Sequence, residues 1–127
     1  MDYVNRNYRN RFRRDRWVYF TAAYKETDLC IGIDKNSWHP DIPVFCRQYI
    51  RHLRTEMDQW IIKHPGYAGA LVPYAAPDGA PQIFQEMAAV AEKSGIGPMS
   101  AVAGAVAEKT GQALKKQFSI REIIVEN

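Results

Sequence analysis

Residues 95–107 are the segment that most constrains how this chain can fold. They read Gly-Ile-Gly-Pro-Met-Ser-Ala-Val-Ala-Gly-Ala-Val-Ala, with no charged residue before Glu108. The pattern predicts a glycine turn that leads into a helix with a small, apolar surface, and other elements must cover such a surface. Pro98 suits the first turn of this helix, because a backbone N–H there would have no helical partner in any case.

The start of this helix offers a place for a ligand. The first backbone N–H groups of a helix and its positive dipole end suit a phosphate or another anion. Gly95 and Gly97 would let a ligand approach the backbone, and Ser100 adds a hydroxyl. The spacing is neither that of a Walker loop nor that of a dinucleotide fingerprint. A tight corner between two helices, in which small residues allow close packing, is the alternative.

The rest of the chain predicts one α+β domain of 127 residues. Runs rich in β-branched and aromatic residues predict strands, and apolar residues at steps of three and four predict helices. The strands are expected at residues 17–24, 28–34 and 120–125, with a weaker candidate at 3–12, and the helices at residues 44–64, 81–95 and 98–116. The simplest arrangement is an antiparallel β-meander packed with three main helices.

Residues 25–28, Lys-Glu-Thr-Asp, separate the first two strong strand patterns. They suit a hairpin turn, because Asp and Thr side chains bond readily to nearby backbone groups. Alternatively, Glu26, Thr27 and Asp28 supply two carboxylates and a hydroxyl that could hold a magnesium-bound phosphate.

Positive charge is concentrated at the N-terminal end. Residues 1–16 hold six arginines and two aspartates, a charge of +4, so the remaining chain carries −1 of the net +3. Such a run can follow nucleic-acid phosphates, or it can bind a small ligand, but we expect a solvated, arginine-rich edge strand instead.

The chain is expected to be cytoplasmic, with no membrane partner. It has no signal-peptide pattern and no apolar run near the roughly 20 residues that span a bilayer. Cys30 and Cys46 are expected to be buried free thiols rather than a disulfide, and no metal-ligand spacing is present.

Three stretches, residues 25–29, 95–105 and 123–127, together resemble a family of prokaryotic proteins grouped with the ApbE-like superfamily. ApbE itself is a magnesium-dependent flavin transferase. The resemblance implies an ApbE-like α+β fold and FAD or FMN with magnesium as cofactors. In that family the Val-Glu-Asn run continues into Gly-Gly-Asp and a C-terminal half, so the resemblance also implies that residues 1–127 are the N-terminal part of a longer fold.

These observations support competing hypotheses about function. In the first, the chain binds a diphosphate-containing small molecule, such as a flavin. The candidate ligand-binding residues are Glu26, Thr27, Asp28, Gly95, Gly97, Pro98, Ser100, Glu126 and Asn127. In the second, the chain is a non-catalytic assembly protein whose last strand pairs with another copy or with the missing C-terminal half, and a homodimer is expected. RNA binding through the N-terminal arginines is a third, and no catalytic residue is assigned.

Overall fold

The computed structural model describes residues 16–127. These residues form two compact units: the first contains residues 16–51 and 110–127, and the second contains residues 52–109. An antiparallel three-stranded sheet and several helices confirm the predicted α+β class.

The sheet belongs to the first unit. Its strands are β1 (Trp17–Tyr24), β2 (Thr27–Asp34) and β3 (Ile123–Glu126), in the spatial order β1-β2-β3 with both pairs antiparallel. Every residue of β2 except Asp28 is buried, as expected for a central strand covered on both faces. The predicted bounds of the first two strands are confirmed to within one residue, whereas the last strand begins three residues later than expected.

Within residues 16–127, four α-helices follow one another, together with two 3-10 helices. They are α1 (Asp41–Lys63), α2 (Pro65–Ala68), α3 (Gln82–Ser94) and α4 (Val102–Gln117), and the 3-10 helices are Lys35–Ser37 and Pro98–Ala101. The helix α1 begins three residues earlier than predicted because Pro43 is accommodated in its first turn. Pro98 starts the 3-10 turn rather than α4 itself.

The core residues of the first unit lie on β2, on one face of α1 and in the second half of α4. Ile42, Cys46 and Ile50 recur every fourth residue on α1 and are completely buried. They belong to a buried set that also contains Leu29, Ile31, Ile33 and Leu114. Both cysteines are free thiols and are buried, as expected. Burial raises the pKa of the Cys46 thiol to about 12.

The second unit is built around an aromatic cluster. The Trp60 ring is stacked between the rings of His64, at 4.0 Å, and Phe84, at 4.2 Å. Tyr67 meets Trp60 edge-on and donates a hydrogen bond of 2.8 Å from its hydroxyl to the backbone oxygen of Phe84. Tyr67 is therefore a core residue, whereas Tyr74 leaves 43% of its surface exposed.

Over the part of the chain that the structure describes, no helix is both long enough and apolar enough to cross a membrane.

Candidate functional site

The glycine corner has the geometry of close backbone packing. Gly95 ends α3 in the left-handed conformation, with φ 72° and ψ 22°, as predicted. Gly97 has an ordinary φ of −70°, but a Cβ atom built on it would overlap the carbonyl oxygen of Ala70 and lie 2.8 Å from its carbonyl carbon. The Ser100 hydroxyl donates to the Gly97 oxygen at 2.5 Å. These contacts favour the packing alternative, and phosphate binding at this corner stays a prediction.

The segment after β1 is a hairpin turn. Tyr24 pairs with Thr27, so Lys25 and Glu26 form a two-residue connection, and Lys25 adopts the left-handed φ of 54° that such turns require. This confirms the hairpin interpretation. Thr27 is buried at the start of β2, whereas Glu26 and Asp28 are exposed.

The strand register brings five of the nine predicted ligand residues to one end of the sheet. Glu126 lies opposite Cys30, two residues along β2 from Asp28, so Asp28 and Glu126 share a face of the sheet. Glu26, Thr27 and Asn127 lie at the same end. The other four residues belong to the second unit.

The fold already uses the polar residues at this end. Glu26, Thr27, Asp28 and Glu126 each take part in an interaction with the rest of the chain. Within residues 16–127, no group of three or more His, Cys, Asp or Glu side chains is placed to hold a metal ion. The ligand contacts assigned to these residues stay predictions.

The opposite end of the sheet holds a polar network that the sequence did not reveal. Asp34 ends β2, and its Oδ1 accepts the backbone N–H of Glu122 at 2.9 Å while its Oδ2 accepts the Ser37 hydroxyl at 3.0 Å. The Ser37 oxygen in turn accepts the backbone N–H of Arg121 at 2.9 Å. Together these bonds tie the end of β2 to the residues just before β3.

Hydrogen bonding keeps the Asp34 carboxyl ionised. Burial is the largest single influence and raises its pKa, but the Glu122 N–H, the Ser37 hydroxyl and the backbone N–H groups of Ser37 and Asp34 all lower it. Their combined effect outweighs burial, so the pKa of Asp34 lies below its ordinary value of 3.8.

A cavity of about 690 Å³ opens beside this network. We call it the sheet-end cavity. It is lined by Arg16, Asp34, Lys35, Asn36, Arg121 and Glu122. Arg16 reaches both carboxylate oxygens of Glu122, at 2.6 and 2.7 Å. Polar residues occur directly after β2 and directly before β3. Because an antiparallel pair places those two positions side by side, this pattern could have located the site from the sequence.

One side of β3 has no strand beside it among residues 16–127. The Asp34 N–H donates to the Glu122 oxygen at 3.3 Å, so the backbone of Asp34 points toward the β3 side. Because this direction alternates along an antiparallel strand, Gly32 and Cys30 also face β3 and bond their partners Ile124 and Glu126. The backbone groups of Ile123 and Val125 therefore point away from β2, and we call them the free edge.

The outer edges of β1 and β3 differ in how well they are protected against pairing with another strand. At the β1 edge, the Arg47 guanidinium donates to the backbone oxygen of Thr21 at 3.2 Å. By contrast, β3 reads Ile-Ile-Val-Glu, contains neither lysine nor proline, and keeps all four residues partly exposed. Lysine, proline and covering side chains are common means by which proteins block an edge strand.

Most of the N-terminal arginines lie outside the described residues, so RNA binding stays a prediction. Arg16, the last of them, is described and is engaged with Glu122.

Comparison with known proteins places the chain in a family. A family model described as AbpE bacteria matches residues 9–127. A UPF0280 protein of Methanopyrus kandleri is 40% identical over 92 residues, which are 72% of this chain and 36% of that protein. A UPF0280 protein of Methanocaldococcus jannaschii is 31% identical over 111 residues, 87% of this chain and 42% of that protein. The chain thus spans well under half of the length of these curated relatives.

These matches correct the expected relationship. Residues 25–29, 95–105 and 123–127 suggested the ApbE-like flavin transferase superfamily, but the family model and the archaeal UPF0280 relatives point to a different family. The expectation of an ApbE-like chain is therefore wrong. Short glycine and acidic stretches were too small a part of the sequence to separate the two groups.

Proposed function

The chain belongs to the family described as AbpE bacteria, and we propose that it functions in assembly, with a second copy of the chain adding its β3 along the free edge. The relatives' names state no reaction, so the proposal rests on the geometry of the sheet. The observation that carries it is the outward direction of the Ile123 and Val125 backbone groups.

Pairing of β3 with the β3 of a second copy would give hydrogen-bond partners to the outward backbone groups of both Ile123 and Val125. In an antiparallel pair centred on Ile124, Ile123 lies opposite the partner's Val125, and Val125 lies opposite the partner's Ile123. Each outward N–H then donates to an outward carbonyl of the other copy. The pair has two-fold symmetry, which is the commonest symmetry of soluble dimers.

The side chains of β3 favour the same arrangement. Ile123, Ile124 and Val125 are β-branched and only half-buried, so a neighbouring strand would remove further apolar surface from water. The β1 edge is a weaker candidate, because Arg47 already occupies the Thr21 oxygen there.

The test is the mass of the intact chain in solution by light scattering, as a function of concentration. We expect twice the chain mass for the wild type. Val125→Pro removes an outward N–H but leaves the bonds of Ile124 and Glu126 to β2, so it should give a monomer. Ala23→Pro is the matched control on the other edge, because Ala23 is exposed and faces away from β2.

Two results would overturn the proposal. The first is a wild type that stays monomeric at the highest soluble concentration. The second is a dimer that survives both Val125→Pro and Ile123→Pro while circular dichroism shows an intact fold.

Binding of FAD or FMN with magnesium stays a prediction, and it was based on the ApbE-like resemblance. Thermal melting of the intact chain with each flavin, with and without magnesium, tests it directly, and unchanged melting temperatures would end it.

A further inference from the structure

The sheet-end cavity holds two cations with no ion-pair partner among residues 16–127, and we propose that it binds the phosphate group of a small molecule through these two residues, Lys35 and Arg121. This site lies at the end of the sheet opposite the residues that the sequence suggested as ligand contacts. It uses residues other than Ile123 and Val125, so it adds a binding role to the proposed assembly.

The two carboxylates of the cavity are already engaged. Glu122 accepts both of its bonds from the Arg16 guanidinium, at 2.6 and 2.7 Å. Asp34 accepts from the Glu122 backbone and the Ser37 hydroxyl, one bond on each oxygen. Glu122 is therefore paired with Arg16, whereas Asp34 accepts only from neutral donors, keeps its negative charge and offsets one of the two other cations.

Two cations remain. Lys35 and Arg121 line the cavity, and neither forms an ion pair with a residue between 16 and 127. With Arg16 balanced by Glu122, and with Asp34 as the only other acid, the six lining residues carry a net charge of +1. The surplus of one positive charge belongs to Lys35 and Arg121, since neither forms an ion pair within residues 16–127.

Backbone hydrogen bonds hold the main chain of both Lys35 and Arg121 in place beside the cavity. The Lys35 backbone N–H donates to the Arg16 oxygen at 3.2 Å, and the Arg121 backbone N–H donates to the Ser37 hydroxyl oxygen at 2.9 Å. Only their side chains need to become ordered when an anion binds, which limits the entropy lost. Asn36, which also lines the cavity, adds an amide donor.

Size and chemistry favour a phosphate on a small molecule. A planar guanidinium matches two phosphate oxygens, and a lysine adds a compact point charge. The volume of about 690 Å³ lies in the range of small-molecule sites. A bare ion would fill little of it, so we assign the cavity to a phosphorylated compound of about nucleotide size.

The experiment is isothermal titration of the intact chain with pyrophosphate and with ADP, without magnesium. We expect both to bind. The double variant K35Q/R121Q should lose at least about tenfold in affinity, because hydrogen bonds between a cation and a phosphate are stronger than those between neutral groups. The double variant R51Q/K93Q is the matched control: it removes the same charge from two exposed positions outside the cavity and should bind like the wild type.

Three outcomes would overturn the proposal. They are no binding of either compound by the wild type at millimolar concentration, equal losses in the two double variants, and binding of a single-stranded RNA oligonucleotide without binding of ADP. Thermal melting of each variant confirms that it is folded. Val125→Pro should keep its affinity for ADP, so failure of the assembly proposal is distinguishable from failure of this one.

Discussion

Asp34 and Glu122, which are 88 positions apart in sequence, are joined by two hydrogen bonds: the Glu122 N–H donates to the Asp34 carboxylate at 2.9 Å, and the Asp34 N–H donates to the Glu122 oxygen at 3.3 Å. The first bond is the largest of the contacts that lower the pKa of the carboxyl, and the second shows which backbone groups of β3 face β2. This pair of residues therefore belongs to the sheet-end cavity and also identifies the free edge.

Acid should destabilise the chain partly through Asp34. Its folded pKa lies below the ordinary 3.8, so below about pH 4 the unfolded chain binds this proton first and the free energy of unfolding falls. Asp34→Asn should cost about 1–3 kcal/mol at neutral pH and show a flatter acid dependence. Urea unfolding between pH 2 and 7 measures both. Asp78→Asn, at an exposed loop position, is the control; identical acid slopes in wild type and Asp34→Asn would contradict the assignment.

Adding a side chain at Gly97 should cause a steric clash with a neighbouring segment but no strain in the backbone of residue 97. Gly97→Ala should destabilise by about 1–3 kcal/mol, because its methyl group would overlap the Ala70 carbonyl while its φ of −70° suits any residue. Gly104→Ala is the control: a Cβ there meets open space within α4 and should stabilise by about 0.5–1 kcal/mol. Denaturant unfolding compares the two, and a Gly97→Ala variant as stable as wild type would show that the corner is not tightly packed.

Alkaline stability should depend on Tyr67. Burial raises its pKa to about 12 from an ordinary value of 10.0, so above about pH 10 the unfolded chain loses the phenolic proton first and stability falls as the pH rises. Tyr67→Phe should lose about 1–3 kcal/mol at neutral pH, since the Phe84 oxygen loses its 2.8 Å donor, and should flatten the alkaline decline. Unfolding curves from pH 7 to 11 test this. Tyr74→Phe, whose ring is partly exposed, should follow the wild type, and the same decline in Tyr67→Phe would refute the prediction.

Both cysteines should be unreactive in the native chain. Cys30 and Cys46 are 3% and 0% exposed, and the pKa of Cys46, raised to about 12, keeps it a thiol at neutral pH. An aromatic disulfide reagent should therefore react only as fast as the chain unfolds. Ser94→Cys adds a thiol at an exposed position and should react at once. A rapid reaction in the native wild type would disprove the burial of at least one cysteine.

Local pattern was enough to predict most secondary structure. The strands β1 and β2 combine β-branched and aromatic residues within short runs, and α1 repeats its apolar residues with a helical period. Gly95 was predicted as a helix cap because only its own backbone conformation was involved. Each of these features depends on neighbours within a few positions.

The features that were missed depend on distant segments. Nothing near Asp34 in sequence indicates that Glu122 lies beside it, so locating the sheet-end cavity required the additional knowledge that β2 pairs with β3. The sequence left open whether Gly97 serves ligand binding or close packing for the same reason, since the backbone that approaches it belongs to Ala70. The pairing of β2 with β3, and not the composition of either strand, determines where the charges gather.

The order of the strands also has a consequence for how the chain is made. The pairing of β1 with β2 needs only a two-residue turn, whereas β3 must find β2 across most of the sequence. Such distant pairings form slowly, although the added loop length costs little at equilibrium. During synthesis the first hairpin therefore exists for a time with the edge of β2 uncovered, and in that interval the chain is most exposed to wrong strand partners.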